Sequence, residues 1–399
     1  MNFESMCMTI NKVKHASLQH ATAFGLCSDG MLSVPRSLIL NGIVSYGGST
    51  GAGLNLIAKA FGEYYERNHF FTAVPIDSIK FLSEIRPLAH QKKLMTLCNN
   101  SNNSKLGQHK FSFTKVYNIF DDTMHDYFFN AISLHGIKED ASFLGLIDSC
   151  GCASYPNKEL SLYHAMMEFL ERQSLIGSWI SKTYRYAINS TLLLDISPYT
   201  CLIEKLLENG DIYIFENGNY LPGYNIIMFY FAQSSCDAVQ YAVGAKSGIS
   251  MIDALNGALA ELYQCYTFLY SAAFKPTNLE HKAGSGYHQA FTYCNRRDTK
   301  SKIPFFDQSL DFKINTLADI QQMPKISYAD ILLKINQITS SVYYYHFYEK
   351  SLQLHFTKIF SPDFFAHMSL DKSFNINNLY ANSLNISSEN AYLEPLPFP

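Results

Sequence analysis

Charge is the scarcest commodity in this sequence. Only 16% of the 399 residues are Asp, Glu, Lys or Arg, and the formal net charge is −3. No run of lysine or arginine is present that could track a phosphate backbone, so no nucleic-acid partner is expected. Nor is there an apolar stretch of the roughly 18 residues that a membrane helix needs. The N-terminal MNFESMCMTINKVKH lacks the apolar core of a signal peptide. Cysteine is scattered over nine positions (7, 27, 98, 150, 152, 201, 236, 265 and 294) with no Cys-x-x-Cys pair, which argues against a zinc ribbon or redox motif. The single tryptophan carries no functional signal. A reduced, cytoplasmic protein without a membrane span is expected.

Apolar residues are abundant instead, at 47%, with 29 Phe and 27 Tyr. That supports a thick interior and suits broad partner contacts, where Tyr and Phe are enriched. The length accommodates one large or two ordinary domains. Strand-like runs fall at DIYIF (211–215), YNIIMFYFA (224–232), SVYYYHFY (341–348) and LQLHFTKIF (352–360). Helical patterns cover about 54–70, 158–180 and 250–272. Without strict βαβ alternation, this mixture predicts an α+β (mixed α/β) fold. Polar stretches at 99–104, 281–288, 294–302 and 375–390 read as loops, and none is biased enough to be a linker. Residues 1–44 are expected as an N-terminal segment packed on the core, and 45–399 as one domain.

The few charges are not spread evenly. GEYYERNHFF (62–71) and MEFLERQSLI (167–176) both spell Glu-x-x-Glu-Arg inside an oily stretch. On helical spacing Ser161, His164, Glu168, Glu171 and Arg172 share one narrow face, as do Asn55, Lys59, Glu63, Glu66 and Arg67. A third helix aligns Asp253, Gly257, Glu261 and Gln264. These are polar seams on otherwise apolar helices, the reverse of an ordinary surface helix. Buried carboxylates cost several kcal/mol each unless paired or metal-bound. Carboxylate-rich oxygen sites suit Mg²⁺, and arginine forks suit phosphate. A single motif of this kind is usually a salt-bridged helix face; two copies and a third seam favour a metal–nucleotide site. YGGSTGAG (46–53) runs into the first helix and could bring backbone amides to a phosphate, but a simple turn fits it as well.

The two Glu-x-x-Glu-Arg helices, the third helix with Glu-x-x-Gln, and the final EPLPFP, with Pro395, Pro397 and Pro399 alternating, resemble the YcaO family. DSCGCAS (148–154) and TKIFSPDFFAHMS followed by NINN (357–378) are similar to the cyclodehydratase subunit of microcin-B-type synthetases, over about residue 45 to the end. The resemblance implies a YcaO-like fold with mixed sheets and three long helices lining the site. It also implies an ATP-dependent cyclodehydratase that turns Cys, Ser or Thr of a precursor peptide into thiazolines or oxazolines through phosphorylation of the backbone amide oxygen. ATP and Mg²⁺ are the implied cofactors.

Carried over by position, Glu63, Glu66, Glu168, Glu171 and Glu261 would hold metal and phosphates. Arg67 and Arg172 would orient carboxylates or clamp phosphate, with Ser161, His164 and Gln264 completing the nucleotide site. Glu168, Arg172 and the Pro399 carboxylate are the implied catalytic groups. Three positions depart from the family pattern: Lys59 where Ser is usual, Gln173 where Asp is usual, and Lys358 where Arg is usual. Implied partners are the precursor peptide, a leader-binding ubiquitin-activating-like zinc subunit and an FMN-dependent azoline dehydrogenase. Thioamide formation and a non-catalytic scaffold remain as alternatives.

Overall fold

The computed structural model describes residues 6–9, 22–26, 35–42, 44–51, 55–98, 103–145, 148–273, 294–307, 310, 312–370 and 374–398. Three sheets carry the architecture. The first is an antiparallel ladder of β1 (Met6–Thr9), β2 (Thr22–Leu26), β3 (Arg36–Asn41) and β4 (Tyr46–Gly51). The second contains β5 (Ser78–Phe81), β6 (Lys110–Asn118), β7 (Met124–Phe128), β8 (Cys152–Tyr155), β14 (Tyr343–Glu349) and β15 (Leu354–Phe360). Its order is β5-β6-β14-β15-β8, with β7 paired to β6. The third runs β12-β11-β10-β9-β13, from β9 (Tyr186–Ile188), β10 (Gly210–Glu216), β11 (Tyr224–Ala232), β12 (Tyr241–Gly248) and β13 (Phe312–Ile314). Only β9–β13 is parallel in that sheet. All four strand-like runs are strands, and the mixed α+β expectation holds.

Among the described residues, the helices of nine or more residues are α1 (Asn55–Thr72), α2 (Leu88–Thr96), α3 (Lys158–Ser181), α4 (Thr200–Asn209), α5 (Met251–Ala273) and α6 (Tyr328–Ile338). The three helices expected from the pattern are α1, α3 and α5. Each lies between two sheets: α1 against β3–β4 and β8, α3 against β8–β15 and β11–β12, and α5 against β11–β12 and β4. Of the three, α3 is the most enclosed. Ala165, Met166, Met167, Phe169, Leu170 and the whole run Gln173–Ile180 are buried. It starts where the Asn157 side chain accepts from the Leu160 amide at 2.9 Å, and stops at Lys182 in the left-handed region (φ 58°). The other two helices are only half-buried; Ile57 on α1 is 40% exposed, so its apolar residues do not all face the core.

The glycine-rich stretch is corrected by the structure. Tyr46–Gly51 is the strand β4, not a turn at a helix N-terminus, and residues 52 and 53 lie outside the described residues. A Cβ on Gly47 would stand 2.4 Å from both the Ala60 carbonyl oxygen and the Tyr64 nitrogen, so the bare Cα lets α1 sit directly on β4. Gly244 does the same for β12 and α5, where a Cβ would lie 2.2 Å from Ala258 O and Leu262 N.

Three polar stretches read as loops contain structure: the helix Asn103–Leu106 begins within 99–104, Arg297–Lys302 is a 3₁₀ helix, and Leu379–Ser383 is a short helix capped by Asn378 with Tyr380 fully buried. The stretch at 281–288 lies outside the described residues. The C-terminal segment is anchored. The Tyr392 amide donates to Ile180 O at 3.0 Å, the Trp179 indole N–H to Glu394 O at 2.8 Å, and the Tyr241 hydroxyl to Pro397 O. Phe398 is consequently buried in the cluster that also holds Trp179, Phe229 and Phe305. The tryptophan that had no evident role holds the tail.

Gly47→Ala should lower stability by about 1–3 kcal/mol, the usual penalty for overpacking. Urea unfolding of the variant against the parent measures it, and an unchanged midpoint would show that β4 and α1 are not in tight register.

Candidate active site

The polar seams of α1, α3 and α5 bring the carboxylates together, at the edges of the sheets that flank them. On α1, Glu63 uses both oxygens: Oε1 accepts from Arg67 Nε at 3.0 Å and Nη2 at 2.7 Å, and Oε2 accepts from the Gly48 amide at 2.7 Å. Arg67 also stacks over Tyr46 at 4.3 Å and donates to its hydroxyl at 2.9 Å. One turn on, Glu66 faces Glu168 of α3. Burial first, then the nearby Glu168 and Glu63 carboxylates, hold the Glu66 carboxyl well above its ordinary range.

On α3, Arg172 is loosely held, with Nε 3.9 Å from Glu168 Oε1 and Nη2 3.6 Å from Glu171 Oε1. Its Nη1 is buried and makes no hydrogen bond, and the guanidinium lies 4.9 Å over the Phe398 ring. Burial pushes the Glu168 carboxyl up to about 8, with Arg172 opposing and Glu171 adding to the rise. Glu171 is 2% exposed, and its Oε2 makes no hydrogen bond either. Across the gap on α5, burial and then Glu171 push Glu261 up to about 7.

Lys246 is a site residue that sequence reasoning missed. It projects from β12 so that Nζ lies 3.4 Å from Glu171 Oε2 and 3.3 Å from Glu261 Oε1. Burial works against its charge, but Glu171 and Glu261 hold the ammonium protonated. The signal was available, because Lys246 is the one charged residue in the strand sequence YAVGAKSG. Tyr46 and Phe398, the two rings under the arginines, were missed as well; nothing in their spacing marks them.

Other expected residues sit at the margin. His164 stacks on Tyr155 at 4.2 Å with the rings nearly parallel, and burial, then Lys246 and Lys59, lower its pKa to about 4, so the imidazole is neutral. Gln264 accepts from the Thr50 hydroxyl at 3.3 Å and rests on Gly48. Ser161 is fully buried; its hydroxyl donates to Thr357 Oγ1 at 2.8 Å and pins α3 to β15 rather than facing the carboxylates. Asp253 is exposed and bonded to Ser250 at 2.6 Å, at the outer end of the third seam. Pro399 lies outside the described residues.

Of the departures, Lys59 is exposed, and Lys358 is 2% exposed with its ammonium donated to Asp148 O at 2.6 Å and Ile132 O at 3.3 Å. Gln173 clamps both the amide and the carbonyl of Phe365 at 2.9 Å. Burial raises the thiol pKa values of Cys150 and Cys152, which keeps them protonated.

With this geometry in place, comparison with known proteins is decisive. The family described as "YcaO cyclodehydratase, ATP-ad Mg2+-binding" matches residues 57–364. The chain belongs to the YcaO family. It is similar to the microcin B17-processing protein McbD of Escherichia coli, 25% identical over an alignment of 364 residues, with 88% of this chain and 89% of McbD covered. In structure it is similar to a chain of the E. coli microcin synthetase McbBCD complex, with a TM-score of 0.84, 22% identity and coverage of 98% and 100% of the two chains. The YcaO of Methanopyrus kandleri, solved with AMPPCP and Mg²⁺, shares the fold at a TM-score of 0.51 and 10% identity, over 86% of this chain and 82% of that one. Among the described residues no helix is long and apolar enough to cross a membrane.

The site fits the family's Mg²⁺ and nucleotide. Once all are ionised, the five carboxylates (Glu63, Glu66, Glu168, Glu171, Glu261) exceed the three cations (Arg67, Arg172, Lys246) by two negative charges, the charge of one divalent ion, and the raised carboxyls are the ones that would give up protons to it. All the donors are hard oxygens, as Mg²⁺ requires. Among the described residues no three His, Cys, Asp or Glu side chains already converge at ligand spacing. Lys246 lies between Glu171 and Glu261, and Glu63 is taken up by Arg67.

The raised carboxyls set a pH dependence for the ligand-free protein. Glu168 and Glu261 keep their protons to about 8 and about 7, against an ordinary 4.5 in the unfolded chain. Their contribution is therefore complete below pH 4.5 and lost as pH rises through those values. The urea midpoint should fall progressively between about pH 5 and pH 8, and Glu168→Gln should flatten the decline. An identical decline in the variant would show that Glu168 is ionised throughout.

Proposed function

We propose that this chain is the ATP-using cyclodehydratase of a microcin-type synthetase and that its three-helix carboxylate cluster is the Mg·ATP site. The observation that carries this is the meeting of Glu168, Glu171 and Glu261 around an arginine, Arg172, one of whose buried N–H groups has no partner, with Glu66 facing Glu168 from the neighbouring helix. Such a fork, already half-neutralised but not fully bonded, is suited to a phosphate oxygen.

The chemistry follows from what an amide lacks. Its oxygen is a poor leaving group, so ring closure alone reverses. The thiol or hydroxyl of a precursor Cys, Ser or Thr adds to the preceding carbonyl carbon, and the oxygen so formed takes the γ-phosphoryl group from ATP, releasing ADP. Loss of phosphate and of the amide N–H proton then leaves the C=N bond of the azoline. Mg²⁺, when bound, neutralises the phosphates during transfer. The protein holds the reactants in line and supplies fixed positive charge. Glu63, Glu66, Glu168, Glu171 and Glu261 are assigned to metal and phosphate binding; Arg67 orients Glu63, Arg172 contacts phosphate, and His164 and Gln264 border the nucleotide. Pro399 is assigned a role in proton transfer on the family resemblance. McbD is part of an assembly solved with pro-MccB17 bound, which supports a peptide substrate and companion subunits here; a leader-binding zinc protein and an FMN-dependent dehydrogenase are assigned among them on the family resemblance.

Glu168→Gln and Glu63→Gln should each reduce ATP-dependent dehydration of the cognate precursor by at least about 10²-fold, on the scale of losing a transition-state charge contact. Mass spectrometry of the peptide counts the water losses, and size-exclusion chromatography checks that the complex still assembles. Full dehydration by either variant in an intact complex contradicts the assignment.

A further inference from the structure

Lys246 has no counterpart among the residues that the helical seams single out. It reaches the site from a sheet rather than from a helix. The strand β12 is buried almost throughout, and Lys246 is its sole charge. Its aliphatic stem crosses α5 at Gly257, one turn before Glu261. A Cβ on Gly257 would stand 2.5 Å from Lys246 Cγ and 3.0 Å from Cδ. Only a residue without a side chain leaves the lysine room to lie there. The stem is thereby aimed, and the ammonium ends 3.4 Å from Glu171 Oε2 and 3.3 Å from Glu261 Oε1.

Neither contact is a tight ion pair. Both exceed the 2.7–2.9 Å of a strong charge-assisted bond, and Glu171 Oε2, in a residue 2% exposed, is left without a hydrogen bond. The ammonium therefore sits between two carboxylates that would otherwise face each other, donating one long hydrogen bond to Glu261 Oε1 at 3.3 Å and only ion-paired with Glu171 Oε2 at 3.4 Å. A compact cation on a flexible stem can leave such a place at small cost and take a new oxygen partner. Arg67 differs, since its bidentate bond to Glu63 and its stacking on Tyr46 fix it.

Resting on the Mg·ATP reading above, we propose that Lys246 is a positioning residue that acts as the site's internal cation. In the ligand-free protein it shields Glu171 and Glu261 and competes with free Mg²⁺. When nucleotide arrives with its metal, the ammonium transfers to a phosphate oxygen and releases the carboxylates to the ion. The pair Lys246–Gly257 thus makes metal binding depend on nucleotide, which prevents the site from being filled by Mg²⁺ alone.

Isothermal titration of the full chain with MgCl₂ alone and with Mg·AMPPCP, a non-hydrolysable analogue, tests this. Lys246→Met should bind Mg²⁺ alone at least tenfold more tightly than the parent and Mg·AMPPCP at least tenfold more weakly. Gly257→Ala, which displaces the lysine without removing it, should move both values in the same directions by less, and it decides the matter if the methionine variant does not fold. Unchanged or weaker binding of Mg²⁺ alone in these variants overturns the inference while leaving the nucleotide site intact. Failure of the parent itself to bind Mg·AMPPCP overturns the nucleotide reading and this inference with it.

Discussion

Everything in this structure depends on three helices each being shared between two sheets. A helix with sheets on two sides has one face left, and here those faces turn toward one another. The glycines at positions 47 and 244 make the arrangement possible by letting α1 and α5 lie directly on β4 and β12. Apolar burial on the sheet-facing sides supplies the stability. The inward faces are then free to carry groups that a core would not tolerate.

Those groups are mutually dependent. The carboxylates of Glu66, Glu168 and Glu261 are raised by burial and by one another, while Arg172 and Lys246 offset them incompletely. A cluster with unbalanced negative charge and orphaned polar atoms is destabilising on its own terms. Proteins retain such features at functional sites, where the missing partner is the ligand. The two negative charges by which the fully ionised carboxylates would exceed Arg67, Arg172 and Lys246 match a divalent ion, and the unpartnered Nη1 of Arg172 matches a phosphate oxygen. Catalysis by phosphoryl transfer asks for this kind of preformed charge and little covalent chemistry from the protein.

Much of this was legible in the sequence, for a physical reason. With charge so scarce, helical spacing was enough to place Glu63, Glu66, Glu168, Glu171 and Glu261 on single faces, and β-branched and aromatic runs marked β10, β11, β14 and β15. What failed was long-range. Ser161 shares the α3 seam but lies two turns from Glu168, where the seam has already passed under β15. The glycines of β4 resembled a phosphate loop because close backbone packing and phosphate binding both require a bare Cα. Lys246, Tyr46 and Phe398 enter the site from strands and the tail, by pairings that no local period encodes. Trp179 is similar: its indole reaches Glu394 across 215 residues.

The central claim is that the inward faces of α1, α3 and α5 form one metal–nucleotide site. Crystals grown with AMPPCP and Mn²⁺ in place of Mg²⁺ test it most directly, through the anomalous scattering of manganese. The account predicts a peak bonded to carboxylate oxygens from at least two of the three helices, with Arg172 on a phosphate oxygen and Lys246 withdrawn from Glu171. A peak elsewhere, or nucleotide bound away from these helices, for example in the 230 Å³ cavity lined by Ala187, Tyr213 and Phe312, would contradict it.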